Sequence, residues 1–345
     1  MWTYVLKRVL LMVPTLLGVM ALTFIVIQFV PGGPVEQMVA QLEGRSSGGE
    51  GAARSGAYRG RQGVDAAQVE EIRKFYGFDK PPAERFWRMV KSYAVFDLGQ
   101  SFQHHKSVWT LVKEKLPVSI TLGLWTFVLS YLISVPLGIA KAVRAGSRFD
   151  AVTSLVVLAG YAIPGFVLGV ALLVLFGGGS FLSWFPLRGL TSSNWDELSW
   201  AAKVTDYLWH IALPVTASVL GSFAVITMLT KNAFLEEIRK QYVLTARAKG
   251  LAERQVLWKH VLRNALIPLV TGFPAAFIGA FFTGSLLIET LFSLDGLGLL
   301  SYESVLRRDY PVVLGTLYLF TLIGLVTKLI GDLCYVWVDP RVKFD

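Results

Sequence analysis

The stretch from Gln241 to Pro268 reads QYVLTARAKGLAERQVLWKHVLRNALIP: cationic, interrupted by a glycine at Gly250, and set between two long apolar runs. From Leu235 onward the positions Ile238, Tyr242 and Thr245 recur at three- and four-residue steps, which predicts a short amphipathic helix to about Lys249. Gly250 stands where such a helix ends, because glycine takes the left-handed cap conformation without steric cost. A second helix is expected to begin near Ala252, with Glu253 in its first turn, and to continue through Leu257, Val261 and Ala265 into the next apolar run. Thr245, Ala246 and Ala248 keep the first helix slim before the turn, so that another surface can approach its backbone. A basic amphipathic segment also suits anionic lipid, and the pattern alone leaves both uses open.

Outward from this stretch the chain is apolar. Of its 345 residues 54% are hydrophobic. Crossing a hydrocarbon layer of ~30 Å takes about 20 helical residues. Six runs are long enough: Lys7 to Val30, Val118 to Ala140, Ala151 to Phe176, Ile211 to Thr230, Leu266 to Ile288, and Val312 to Val338. Lipid offers the backbone no partners and the runs lack the alternation of barrel strands, so each is expected to be a helix. The fold class is therefore an all-α polytopic membrane protein with six transmembrane helices. Residues 1–30 form the N-terminus and first helix, 31–117 a large insertion between helices 1 and 2, and 118–345 a five-helix core carrying the loop 231–265.

A net charge of +9 raises the question of nucleic acid, but the basic residues follow topology. Lys7 and Arg8, then Lys141, Arg144 and Arg148, then eight basic residues from Lys231 to Arg263, then Arg341 and Lys343 fall on one side of the predicted membrane. The short loops on the other side carry Arg188 with Lys203, and Arg307 with Arg308. The positive-inside rule then places both termini and the 231–265 loop in the cytoplasm and residues 31–117 outside, and no nucleic-acid partner is needed. The Gly-, Ser- and Arg-rich part from Glu43 to Gly63 has little to bury and is expected to be flexible. Beyond Asp65, Val69, Ile72, Phe75 and Tyr76, then Phe86, Met89, Val90 and Tyr93, predict two short amphipathic helices.

Several chemistries are missing. No G-x-x-x-x-G-K-[ST] phosphate loop occurs, and no Gly-Lys pair exists in the chain, so any ATP would have to be bound by another subunit. The four histidines include no H-E-x-x-H pair, and Cys334 is the lone cysteine, so neither metal site, catalytic residue nor resident cofactor is expected. Lys328 and Asp332 are the ionisable residues within a span that an ion-coupled carrier could use; four residues apart, they can instead pair with each other.

Thr245 to Leu251 (TARAKGL) followed by Arg263 to Pro268 (RNALIP) resembles the cytoplasmic EAA loop of the membrane subunits of bacterial ABC importers, in its peptide/nickel permease form. The likeness extends along the chain: Tyr76 to Pro81 with Asp97 to Ser101, Glu289 to Phe292 with Gly296 to Gly298, and Asp339 to Arg341. The general motif's opening Glu-Ala-Ala falls on Leu244-Thr245-Ala246 and its late Leu-Pro on Leu262-Arg263, while Gly250 is kept. The insert before Asp65 resembles that of permeases linked to uptake of peptides and the peptide-nucleotide antibiotic microcin C.

This resemblance implies a type I ABC importer permease fold in the bacterial inner membrane. It implies a peptide or peptide-conjugate cargo. The partners it brings are a second permease subunit, two ATPase subunits that carry ATP and Mg, and a periplasmic solute-binding protein. Thr245, Ala246, Arg247, Ala248, Lys249, Gly250 and Leu251 would couple to the ATPase. Pro164 and Pro274 would kink the third and fifth helices beside the path, and Glu289 and Phe292 would belong to the path or its outer gate. A tolerated packing kink at either proline, and a capped or interfacial carboxylate at Glu289, are the structural alternatives. An ion-coupled carrier or channel, and a membrane scaffold, remain the other function classes.

Overall fold

The computed structural model describes residues 2–29, 79–177, 181–282 and 286–338, and these are helical apart from short connections and an isolated bridge between Gln100 and Ser107. Four helices are long and apolar enough to cross a membrane: α1 (Trp2–Phe29), α3 (Val108–Val143), α6 (Trp200–Ile238) and α12, whose full extent is Tyr310–Val338. Two bent pairs supply the other two spans. The first is α4 (Arg148–Ala162) with α5 (Gly165–Gly177), at 90°; the second is α8 (Glu253–Ala265) with α9 (Ile267–Phe282), at 50°. The shorter helices are α2 (Pro82–Ala94), α7 (Gln241–Ala248), α10 (Leu286–Leu291) and α11 (Leu297–Leu306). Six spans are thus reached when each bent pair counts as one.

The bends have local causes. Ile163 precedes Pro164 and is extended, at φ −85° and ψ 117°, because the proline ring disfavours the helical conformation of the residue before it. α4 therefore ends at Ala162, and α5 restarts after Pro164. The sequence placed the fifth-helix kink at Pro274, yet Pro274 lies inside continuous α9. The 50° bend falls at Leu266, with Pro268 in the first turn of α9, where a missing N–H costs no helical hydrogen bond. α3 starts ten residues before the predicted run and passes through Pro117. Its first turns are polar, and a hydropathy reading cannot follow a helix beyond its apolar part.

The chain divides into two compact units. One comprises Val9–Val112 and Ser301–Leu322. In it Phe24 meets Phe86 edge-on at 5.5 Å, Tyr93 packs on Tyr318 at 5.1 Å, and Asp309, fully buried, accepts from Ser101 Oγ and from the backbone N–H of Phe102 (3.0 Å) and Gln103 (3.3 Å). The predicted helix around Phe86 to Tyr93 is α2; the one around Val69 to Tyr76, the Glu43 to Gly63 insert and Asp339 to Arg341 lie outside the described residues. The other unit comprises Met1–Arg8, Lys113–Leu300 and Ile323–Asp345. Its core joins Leu122 of α3, Ile211, Leu213, Val215 and Ala217 of α6, and Ile288, Phe292 and Leu294. α3 crosses α6 closely at Gly138, where a Cβ would come 2.6 Å from Thr230 Cβ and 2.8 Å from the Thr227 carbonyl oxygen. Small residues at such crossings let membrane helices pack backbone to backbone.

Candidate functional site

The stretch from Gln241 to Ala265 folds as two helices about a tight turn. α6 runs on to Ile238, so Leu235 and Ile238 belong to that span and not to the short helix, which begins at Gln241 after the extended Lys240. α7 ends as its sequence predicts. Gly250 has φ +79°, its N–H donates to the Arg247 carbonyl (2.9 Å), and the Leu251 N–H donates to the Ala246 carbonyl (3.4 Å). These two bonds are a Schellman cap. Arg247 reaches over the turn to Glu253 with two bonds, at 3.0 and 2.6 Å, so its guanidinium is held within the loop. The sequence reading put Glu253 in the first turn of α8 but did not pair it.

The inner face of α7 is Val243 and Ala246, which pack with Ala142, Phe234, Val256, Val261 and Ala265 in a second core cluster. Ala246 therefore faces inward, whereas Leu244, Thr245, Ala248, Lys249, Gly250 and Leu251 are exposed. Tyr242 ties the ends of three helices together: its hydroxyl donates to Glu237 (2.6 Å) and accepts from Asn264 (3.1 Å). Burial pushes the Tyr242 phenol up, and the bond to Glu237 adds to that, so it stays a neutral donor.

A second feature lies within the same unit. A cavity of about 670 Å³ is lined by α3, α5, α6, α9 and α10. Ser119, Thr126, Ser130 and Tyr131 contribute from α3, and Ser218 and Ser222 from α6, with Gly123, Gly165, Gly221 and Ala276 between them. Among the described residues, Thr126 Oγ1 and Ser130 Oγ are buried without a hydrogen-bond partner. Phe127 and Tyr131, at 4.6 Å, stack toward Phe273 and form an aromatic wall beside the cavity. The recurrence of small and hydroxyl residues at 119, 123, 126 and 130 is the signal that a reading centred on apolar runs passed over.

The predicted path residues are placed unevenly. Glu289 lines the cavity; Pro164 and Pro274 do not, although Gly165, the residue after Pro164, does. Phe292 is 2% exposed in the helix core. Glu289 is fully buried, and its carboxylate accepts from the Leu299 N–H (2.8 Å) in the first turn of α11. Gly296 leaves room for it: a Cβ there would sit 2.6 Å from the carboxyl carbon. This is a cap supplied across a turn, satisfying donors that a helix start leaves open. Asp332 bonds Arg8 (3.1 Å) and Tyr4 (2.8 Å) on α1 instead of Lys328. Among the described residues no group of three or more His, Cys, Asp or Glu could hold a metal ion.

Comparison with known proteins places this architecture. Residues 134–344 match the family model described as "Binding-protein-dependent transport system inner membrane component". The chain is 54% identical over 360 aligned positions to the peptidoglycan transport system permease protein YejB of Agrobacterium fabrum, covering 100% of this chain and 99% of the relative. It is 53% identical over 362 positions to the inner membrane ABC transporter permease protein YejB of Escherichia coli O157:H7, covering 100% of each. It is 30% identical over 345 positions to the oligopeptide transport system permease protein AppB of Bacillus subtilis, again covering 100% of each.

Proposed function

The chain belongs to the family of binding-protein-dependent transport system inner membrane components, and from that premise we propose that it forms half of the translocation path of an ATP-driven importer of oligopeptides or peptide conjugates. The family brings the type I importer permease fold, with which the six helical spans agree. The second permease subunit supplies the other half of the path, two ATPase subunits bind ATP and Mg, and a periplasmic binding protein delivers cargo. Hydrolysis belongs to the ATPases, and this chain carries no catalytic step. Both termini and the 231–265 loop face the cytoplasm, with residues 31–117 outside, a reading that the charge asymmetry at the short loops supports.

One observation carries the reading: the cavity offers neutral hydroxyls and an aromatic wall, and the one carboxylate that lines it among the described residues, Glu289, is spent on the start of α11. Such a surface meets the amides of any peptide without selecting a side-chain charge, which suits a path whose selection is made by a separate binding protein. Sugar-bearing peptides fit the same chemistry, in keeping with the peptidoglycan system named for one relative and the oligopeptide system named for another. Peptide-nucleotide conjugates of the microcin C kind are the further cargo that the Gly- and Arg-rich insert suggests. Of Lys328 and Asp332, the two residues an ion-coupled carrier would use, the aspartate is paired with Arg8, which favours the ATP-driven reading.

Gly221 tests this directly, because a Cβ there meets nothing within 4 Å and the position opens on the cavity. Gly221→Phe should fill the path while leaving helix α6 intact, and Gly221→Ala should leave it open. Uptake of a labelled peptide by cells carrying each variant is expected to fall to background in the first and persist in the second, at equal amounts of assembled complex. Full uptake in Gly221→Phe would remove the cavity from the path.

A further inference from the structure

Lys141 and Lys231 are among the charges expected to orient the chain, yet Lys141 is entirely buried. Its ammonium donates to the Asp150 carbonyl (3.1 Å), Thr153 Oγ1 (2.9 Å) and Ser154 Oγ (2.7 Å), so all three of its protons are spent on the first turns of α4. It also lies 3.2 Å from the Asp150 carboxylate. Lys231 of α6 meets both oxygens of that carboxylate, at 2.6 and 2.8 Å. One aspartate at the start of α4 thus joins the ends of α3 and α6 through two lysines, away from bulk water. A surface pair would contribute little, but a buried cluster of this kind strongly resists the removal of any one partner.

The cluster sits between the loop and the cavity. Ala142 follows Lys141, and Phe234 lies three residues after Lys231; both belong to the core cluster that holds Val243 and Ala246 of α7. From Asp150, α4 leads to the Pro164 break, and Gly165 and Phe166 just beyond it line the cavity. Gly165 is seated on α6, where a Cβ would come 2.9 Å from the Ala217 carbonyl oxygen. A continuous chain of packed and bonded groups therefore runs from α7 to the cavity wall, with the Lys141–Asp150–Lys231 cluster as its one charged joint.

Resting on the reading of the chain as an ATP-coupled permease, we infer that Lys141, Asp150 and Lys231 are positioning residues for coupling: they make the adjoining ends of α3, α4 and α6 move as one body, so that displacement of α7 by the ATPase reaches α4 and the cavity. A contiguous chain of contacts becomes a coupling path only when its interruption separates the two ends.

The test uses the assembled transporter with its ATPases. Lys231→Met leaves Asp150 paired with Lys141, so no uncompensated charge is buried, and the complex is expected to assemble. Asp150→Asn is the stronger interruption, and Lys231→Arg keeps the charge. Peptide taken up per ATP hydrolysed should fall about fivefold or more in Lys231→Met, in the range of ordinary coupling energies, while hydrolysis continues and Lys231→Arg retains the ratio. A readout independent of cargo follows α4 and α6 themselves. Spin labels at Arg148→Cys and Glu236→Cys, both exposed, in a Cys334→Ser background should report one narrow distance with and without a non-hydrolysable ATP analogue. In Lys231→Met the distribution should broaden or shift with the nucleotide. An unchanged uptake ratio, a proportional fall of uptake and hydrolysis together, or the same label distances in parent and variant would overturn the inference. Absence of peptide uptake in the parent, with the label result intact, would count against the peptide reading and not against the joint.

Discussion

Gly250 shows what one residue decides. At φ +79° a side chain with a Cβ is strained by about 1–2 kcal/mol, although no neighbouring atom lies within 4 Å of where that Cβ would be. The cost of substitution is therefore conformational and not steric. Gly250→Val should loosen the angle between α7 and α8 without disturbing insertion, and Gly250→Asn, which tolerates the left-handed region better, should do so less. ATPase activity stimulated by loaded binding protein is expected to fall in Gly250→Val at matched expression and to recover in part in Gly250→Asn. Equal activity in all three would leave the loop with a role at the lipid surface. Gly250 and Glu253 were legible because cap residues act over a few positions. The Arg247–Glu253 pair, also local, was missed because Glu253 had been assigned to the first turn of its own helix and Arg247 to the segment that meets the ATPase.

Among the elements, the spans that matched expectation were those marked by a continuous apolar run. What hydropathy could not supply were the ends of α3 and α6, which extend into polar sequence, and the site of the fifth-helix bend. Proline alone does not locate a kink: Pro164 breaks its span, while Pro117, Pro136, Pro214 and Pro274 are carried inside helices. The contacts between helices decide, and these join residues far apart in sequence. The α3–α6 crossing at Gly138 is such a contact. Gly138→Leu must push Thr230 and the Thr227 backbone aside, at a cost of at least about 1–3 kcal/mol. The variant should show a lower midpoint of thermal unfolding in detergent, of the complex or of the chain alone; an unchanged midpoint would mean that the two helices separate freely at this point.

At the scale of the whole molecule, family and architecture were legible from motifs and apolar runs, but the cavity was not, since its hydroxyls come from helices about a hundred residues apart. The charge asymmetry of the short loops makes a prediction about orientation: a periplasmic reporter should be inactive after Lys240 and after Asp345 and active when placed within residues 31–117. Activity after Lys240 would invert the topology and remove the loop from the ATPase. The account stands most directly on import itself. Proteoliposomes containing this chain, the second permease and the ATPases should accumulate a labelled oligopeptide only when ATP on the ATPase side and the loaded binding protein on the opposite side are both present. Accumulation driven by an ion gradient without ATP, or none by a fully assembled complex across a panel of peptides and peptide conjugates, would contradict it.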